Sequence, residues 1–231
     1  MKYLIIIFSV LAVNLYSQGL PESFSNLSTV EIKVTPTYSV YVSYDKNVTK
    51  IIKRKLHEND LGFGAPFRVI STILDKRDKK EYTIDFQEGL SADPSFTIYE
   101  NRIDGLVYIN SFNGDHLIIP GNGGIYISGH VNSMFNIRRK YELSEGELKE
   151  VVQPFYYVGL KTITLKSLEL RSETDNKEII AYIPKNSEIE VLINKVNHYL
   201  IKTSFGLIGW AEITDVPINE TPIKGLYRAG D

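Results

Sequence analysis

From Thr29 onward, apolar residues recur at every second position in short runs, and polar clusters separate the runs. Val30-Glu31-Ile32-Lys33-Val34 alternates strictly, and Tyr38 to Tyr44 places Tyr38, Val40, Val42 and Tyr44 on one face. That period of two is the mark of a half-buried strand. The same pattern predicts strands over 67–74, 81–86, 96–100, 106–112, 116–119, 124–128, 135–143 and 148–152. The stretch 48–56 stays open between a strand and a short basic helix, because Val48, Ile51, Ile52 and Leu56 also share a helical face. Residues 75–80 form a charged hairpin tip, read either as an anion site or as a solvated turn. Asn113-Gly114-Asp115 and Gly121-Asn122-Gly123-Gly124 predict tight connectors that tolerate positive φ. The pattern shows neither a clean long repeat nor a regular alternation of strand and helix, which argues against a propeller or a parallel sheet. Residues 29–155 are therefore expected to form an antiparallel β-domain, a curved meander or an open barrel.

After Gln153-Pro154 the rhythm continues. Leu165–Arg171, Glu178–Ile183, Ile189–Ile193, Tyr199–Thr203 and Leu207–Ile213 read as five strands, with a turn at Pro184-Lys185-Asn186 and a close on Gly206-Leu207-Ile208-Gly209-Trp210. Five short strands with a turn signal about every ten residues suggest a small closed barrel. The landmarks "LELRS", "IIAYIPKNSEIEVL" and "HYLIKTSFGLIGW" resemble, in order, the bacterial SH3 domain family. The resemblance covers under a quarter of the chain. It implies an SH3-like barrel over 161–213 that binds peptide or cell-wall material and does no chemistry. It also implies structural roles for Gly206, Gly209 and Trp210, with the indole packed in the barrel and Gly209 making room beside it. The ligand-contact candidates are Tyr182, Tyr199 and Trp210, tyrosine offering an apolar face with a polar tip. No acidic-aromatic motif of the eukaryotic SH3 type precedes the first loop, so cell-wall peptide or a protein surface is the expected partner. The whole chain is thus read as all-β. The tail 214–231 is either a solvated end or a strap, and Ile218, Ile223, Leu226 and Tyr227 favour the strap.

Composition sharpens this picture in three ways. With 43% hydrophobic residues the chain can bury real cores, and 15 Tyr and 10 Phe against 2 Met and 1 Trp suit strands. The absence of cysteine removes disulfides, thiolate catalysis, thiolate zinc sites and a lipid-modified cysteine. A net charge of -2 supplies no general attraction for nucleic acid. Residues 1–18 read as a signal peptide, with Lys2, an apolar core Tyr3–Val13 too short to span a bilayer, and Ser17 before the cut. A secreted or periplasmic location without a transmembrane anchor is expected.

Candidate chemistry is sparse. His57, His116, His130 and His198 show no HxH or HExxH spacing, although His116 and His130 lie one hairpin apart. Ser128, His130 and Asp104 would form a triad only by converging in space, since no nucleophile elbow surrounds Ser128. Gly121–Gly124 lacks the Lys-Ser/Thr of a phosphate loop, and Asp85, Glu88 and Asp93 lack the spacing of a calcium loop. Arg138-Arg139-Lys140 splits over two faces of a strand. No catalytic residue, metal or cofactor is expected. The leading expectation is an exported, non-catalytic binding protein of the bacterial envelope. The alternatives are a secreted cell-wall hydrolase targeted by the SH3-like barrel, and a small-molecule carrier.

Overall fold

The computed structural model describes residues 22–55, 66–89, 93–175 and 178–229. Residues 1–18, expected to be a signal peptide, and His57 lie outside the described residues. A 3-10 turn at Glu22–Phe24 leads into β1 (Ser28–Thr35), β2 (Tyr38–Tyr44), β3 (Thr49–Lys55), β4 (Phe67–Ile73), β5 (Glu81–Gln87) and β6 (Ser95–Arg102). There follow β7 (Gly105–Asn113), β8 (His116–Ile119), β9 (Gly124–Gly129), β10 (Ile137–Ser144) and β11 (Glu147–Glu150). Next come β12 (Tyr156–Ile163), β13 (Leu168–Arg171), β14 (Ile179–Ile183), β15 (Glu188–Lys195), β16 (His198–Thr203) and β17 (Ile208–Glu212). Among the described residues there is no α-helix, and the all-β expectation holds. Within the ambiguous stretch 48–56, Thr49–Lys55 form a strand, β3.

Two sheets share the first core. β3 to β7 form a five-stranded antiparallel meander in chain order, and the second sheet runs β1-β2-β8-β9-β10-β11. Val40, Val42, Leu117, Ile119, Ile125 and Ile127 of one sheet are buried with Ile70, Ile84, Phe96, Ile98 and Phe112 of the other. This is a two-layer sandwich, so the expected single meander or open barrel is half right: the meander is one layer and β1-β2-β8-β9-β10-β11 covers it. Its parallel pairing, β2 with β8 through Val42↔Leu117 and Tyr44↔Ile119, departs from the antiparallel expectation. The hairpin tip between β4 and β5 is a clamp rather than an anion site. Lys76 Nζ donates to Asp45 of the neighbouring sheet, Arg77 binds Asp75, and Gly123 N donates to Leu74 O at 2.8 Å. Tyr82, wholly buried in this core, is the residue whose hydroxyl lacks a hydrogen-bond partner among the described residues. A buried unpaired hydroxyl costs free energy, so Tyr82→Phe should raise stability by about 1 kcal/mol in chemical denaturation.

The closed five-stranded barrel expected over 161–213 is not formed. β12-β15-β16-β17-β13-β14 make an open six-stranded sheet. Both edges of β15 are taken, by β12 on one side and β16 on the other, so β14 cannot close onto it. The reading of 155–160 as a lead-in missed that β12 fills this edge. A second core lies under the sheet: Leu168, Leu170, Ile183, Val191, Tyr199, Ile201 and Ala211. Two segments from elsewhere complete it. The tail returns as a strap, with Ile223 and Leu226 fully buried and Thr164 bridged to Ile223. Met134 and Phe135, from the connection between β9 and β10, also enter this core, Phe135 meeting Tyr199 edge-on at 6.2 Å. Tyr227 N and Ala229 N donate to Met134 O and Ser133 O, so tail and connection are stitched together. No helix is long and apolar enough to cross a membrane among the described residues.

Candidate functional site

Strand parity decides which side chains the C-terminal sheet offers to solvent. On β16, Tyr199 and Ile201 are buried, so His198, Leu200 and Lys202 point to the opposite face. On β17, Gly209 and Ala211 are buried, and Ile208, Trp210 and Glu212 turn outward. Register then aligns these outward residues across the strands. Tyr157 of β12 faces Ile193 of β15, Ile193 faces Leu200, Leu200 faces Trp210, and Trp210 faces Arg171 of β13. Four apolar side chains therefore stand in one cross-strand row, ending at a guanidinium. Five strands at the usual spacing make the row about 19 Å long.

The row is built, not incidental. Tyr157 is 57% exposed, yet its ring is tightly seated. A Cβ at Gly159 would fall 2.4 Å from Tyr157 Cζ and the hydroxyl oxygen and 2.5 Å from Cε1, and Gly159 has φ of +64°, so the ring lies where only glycine fits beneath it. Arg138, reaching from β10 of the sandwich, holds its guanidinium 5.4 Å from the ring centroid and donates from Nη1 to Tyr157 O at 3.4 Å. At the other end, Phe155 packs beside Trp210, centroids 6.4 Å apart and planes inclined by 32°. Exposed Tyr182 stands one strand beyond, opposite Glu169. The neighbouring outward row carries charge of both signs, Lys161 facing Glu190 and Glu190 facing Lys202.

The candidate residues named from sequence divide accordingly. Trp210 lies half-buried on the outer face, not inside a barrel. Gly209 makes room for the crossing strands instead of the indole: a Cβ there would sit 3.0 Å from Leu170 Cβ, Ile180 Cδ1 and Arg171 O. Gly206 takes φ of +98° in the turn between β16 and β17 and has open space around it. Tyr182 is 70% exposed, whereas Tyr199 is 2% exposed and has no face for a ligand. Burial pushes the Tyr199 hydroxyl well above its ordinary range, with Asp215 adding to the effect. Tyr157, Phe155, Ile193 and Leu200 were not singled out from sequence.

The chemistry-bearing residues of the sandwich do not assemble. His116 Nε2 is hydrogen-bonded to Ser43 Oγ at 2.9 Å, and Ser43 is wholly buried beside Thr29. His130 Nε2 bonds Tyr227 O at 2.9 Å instead. Burial lowers the His116 pKa, so the ring favours its neutral form. Among the described residues no group of three or more His, Asp and Glu is arranged to hold a metal ion. Asp104 sits at the β6–β7 turn on the opposite sheet from Ser128 in β9.

Among the described residues, Asp115, in the β7–β8 turn, is the carboxyl that burial pushes up, to about 6. Its backbone is fixed on both sides, Tyr41 N donating to Asp115 O at 2.7 Å and Asp115 N to Ser128 O at 2.9 Å. Between about pH 4 and 6 the folded chain keeps this proton while the unfolded chain, near 3.9, releases it. Stability from this group therefore falls as pH rises through that window, and the full cost persists above it. Asp115→Asn should remove this component and leave the protein about 3 kcal/mol more stable than the parent at pH 7, with little difference at pH 4. Denaturant titrations at the two pH values check it. No family model matches the chain, and no curated protein or solved structure matches it either.

Proposed function

We propose that this is an exported, non-catalytic binding protein of the bacterial envelope, and that the outer face of its C-terminal sheet takes a cell-wall peptide. The observation that carries the reading is the row Tyr157–Ile193–Leu200–Trp210, in register across four strands and held in place from both ends. Soluble chains seldom line up large apolar side chains on an outward face unless something covers them. A peptide suits this face because the row offers apolar contact while the flanking Lys161, Glu190 and Lys202 offer both signs of charge. The sequence resemblance to bacterial SH3 domains, carried by the order of the motifs LELRS, IIAYIPKNSEIEVL and HYLIKTSFGLIGW, supports the same class of activity. The segment 1–18 supports export. The hydrolase alternative has less support, because His116 and His130 are bonded to separate partners. The carrier alternative would need an interior, and the space between the sandwich sheets is filled by side chains.

Co-sedimentation with purified sacculi tests the reading. The parent should pellet with sacculi, and Trp210→Ala should weaken pelleting at least tenfold. Because the indole is only partly buried, the same substitution should cost about 2–3 kcal/mol of stability, less than removal of a core aromatic. Retained pelleting by Trp210→Ala, or none by the parent, contradicts the proposal. Binding to sacculi freed of their peptides would identify the glycan as ligand instead.

A further inference from the structure

Tyr82 of β5 is wholly buried, and its hydroxyl has no hydrogen-bond partner among the described residues. Native folds pair nearly every buried polar atom, so such an exception calls for a role. The residue lies at one end of the sandwich, where it lines a cavity of about 420 Å³ that both sheets border. Asp75, Asp78 and Lys80 reach this cavity from the β4–β5 hairpin, Arg102 from the end of β6, and Glu145 from the β10–β11 turn. Burial pushes the hydroxyl up to about 12, with Asp78, Glu100 and Asp75 adding to the effect and Arg102 opposing it, so it stays neutral. Three of those four charges line the cavity, which sets the hydroxyl against the cavity wall. The cations here are engaged. Arg102 Nη2 donates to Glu100 Oε2 at 2.7 Å, Lys80 Nζ lies 3.5 Å from Glu100 Oε1, and Arg77 holds Asp75. An anion therefore finds no open seat. Two carboxylates stand differently. Asp78 Oδ1 accepts from Lys80 N at 3.0 Å, and Asp78 acts on Arg77 only from beyond ion-pair distance. Neither Asp78 nor the exposed Glu145 joins an ion pair among the described residues. Asp75, Asp78, Glu100 and Glu145 thus outnumber Arg77, Lys80 and Arg102, and the mouth is acidic.

We infer that this end of the sandwich binds a small organic ligand through a primary ammonium group, which donates to the Tyr82 hydroxyl oxygen and to the carboxylates of Asp78 and Glu145. An ammonium has three donors, one for each acceptor. A metal ion fits less well, because no three acidic or histidine side chains among the described residues are arranged to hold one. The volume falls within the range of small-molecule sites. Since the hydroxyl is covered, the ligand enters by moving Lys80 or Arg102, whose side chains are both about half exposed. The free protein then bears the cost of the unpaired hydroxyl, and the ligand removes it. One consequence is diagnostic: Tyr82→Phe should raise stability and weaken binding, two effects that a purely structural tyrosine does not combine. The site lies apart from the outer face of β12 to β17, and the inference does not depend on how that face is read.

Calorimetric titration of the full chain tests this. The probe is cadaverine, compared with its diol analogue, in which a hydroxyl replaces each ammonium. The expected result is saturable binding of cadaverine and at least tenfold weaker binding of the diol. Tyr82→Phe should lose at least fivefold in affinity for cadaverine while melting above the parent, and Glu145→Gln should lose at least threefold. Glu173→Gln, which removes an exposed carboxylate beyond β13 on the other sheet, should bind like the parent. No saturable binding of cadaverine, equal binding of diamine and diol, or undiminished affinity in Tyr82→Phe overturns the inference. An equal loss in Glu173→Gln also overturns it, by reducing the effect to general surface charge. So does a Tyr82→Phe variant less stable than the parent, since the hydroxyl would then be satisfied by ordered water without a ligand.

Discussion

A chain ending at residue 216 should lose the cooperative fold of its C-terminal sheet. The removed segment carries Ile223 and Leu226, both fully buried, and Thr221, whose hydroxyl bonds the carbonyls of Ile223 and Leu226. Truncating one buried Ile or Leu side chain typically costs 2–5 kcal/mol, and here two are removed with the backbone that supports them. The loss also opens the edge at Thr164, which the strap bridges, and strips Met134 and Ser133 of their tail partners. We expect a loss of about 5 kcal/mol or more, comparable to the whole stability of a small sheet. Near-UV circular dichroism and the emission of Trp210 should report a loosened C-terminal half. A truncated chain that melts like the parent would show that the strap is dispensable.

Phe135→Ala is the second large effect. Phe135 lies in the connection after β9 of the sandwich, yet it is buried against Tyr199 in the other core. Deleting a buried phenyl ring costs about 3–5 kcal/mol. The diagnostic feature is where the cost appears. Trp210, on the C-terminal sheet, should melt earlier in the variant, although the substitution is made 75 positions earlier (210 minus 135) in a loop of the sandwich. If Phe135→Ala instead destabilised the sandwich alone, the shared core would be a misreading.

Much of the secondary structure was legible because alternation is a local signal. β1, β2, β4 to β9 and β15 to β17 fall where the period of two places them. What failed was pairing between distant segments. Nothing local in Tyr38–Tyr44 announces that its neighbour is His116–Ile119 in parallel, since the meander β3 to β7 intervenes. Nor does Tyr156–Ile163 announce that it will occupy the edge of β15 and thereby leave the expected barrel open.

The face of β17 was misjudged for a different reason. Ile208, Trp210 and Glu212 alternate with Gly209, Ala211 and Ile213, so apolar residues lie on both faces and alternation alone does not choose; the indole was placed inside by the resemblance to bacterial SH3 domains. Charge held the answer. Glu212 shares parity with Trp210, and Lys202 shares parity with Leu200, which marks both sets as solvent-facing. By the same rule Tyr199, out of phase with Lys202, belongs inside. Tyr157 carried no such signal, because its seat depends on Gly159 and on Arg138 from another sheet.

Trp210 is the single tryptophan of the chain, so its fluorescence reports on the proposed ligand face directly. Titration of the protein with soluble cell-wall fragments that retain their peptides, followed by Trp210 emission, is the most direct test of that face. The account predicts a saturable blue shift as a ligand covers the partly exposed indole, abolished or at least tenfold weakened in Tyr157→Ala, at the other end of the row. Binding of the fragments, confirmed by calorimetry, with unchanged Trp210 emission would place the ligand elsewhere and contradict it.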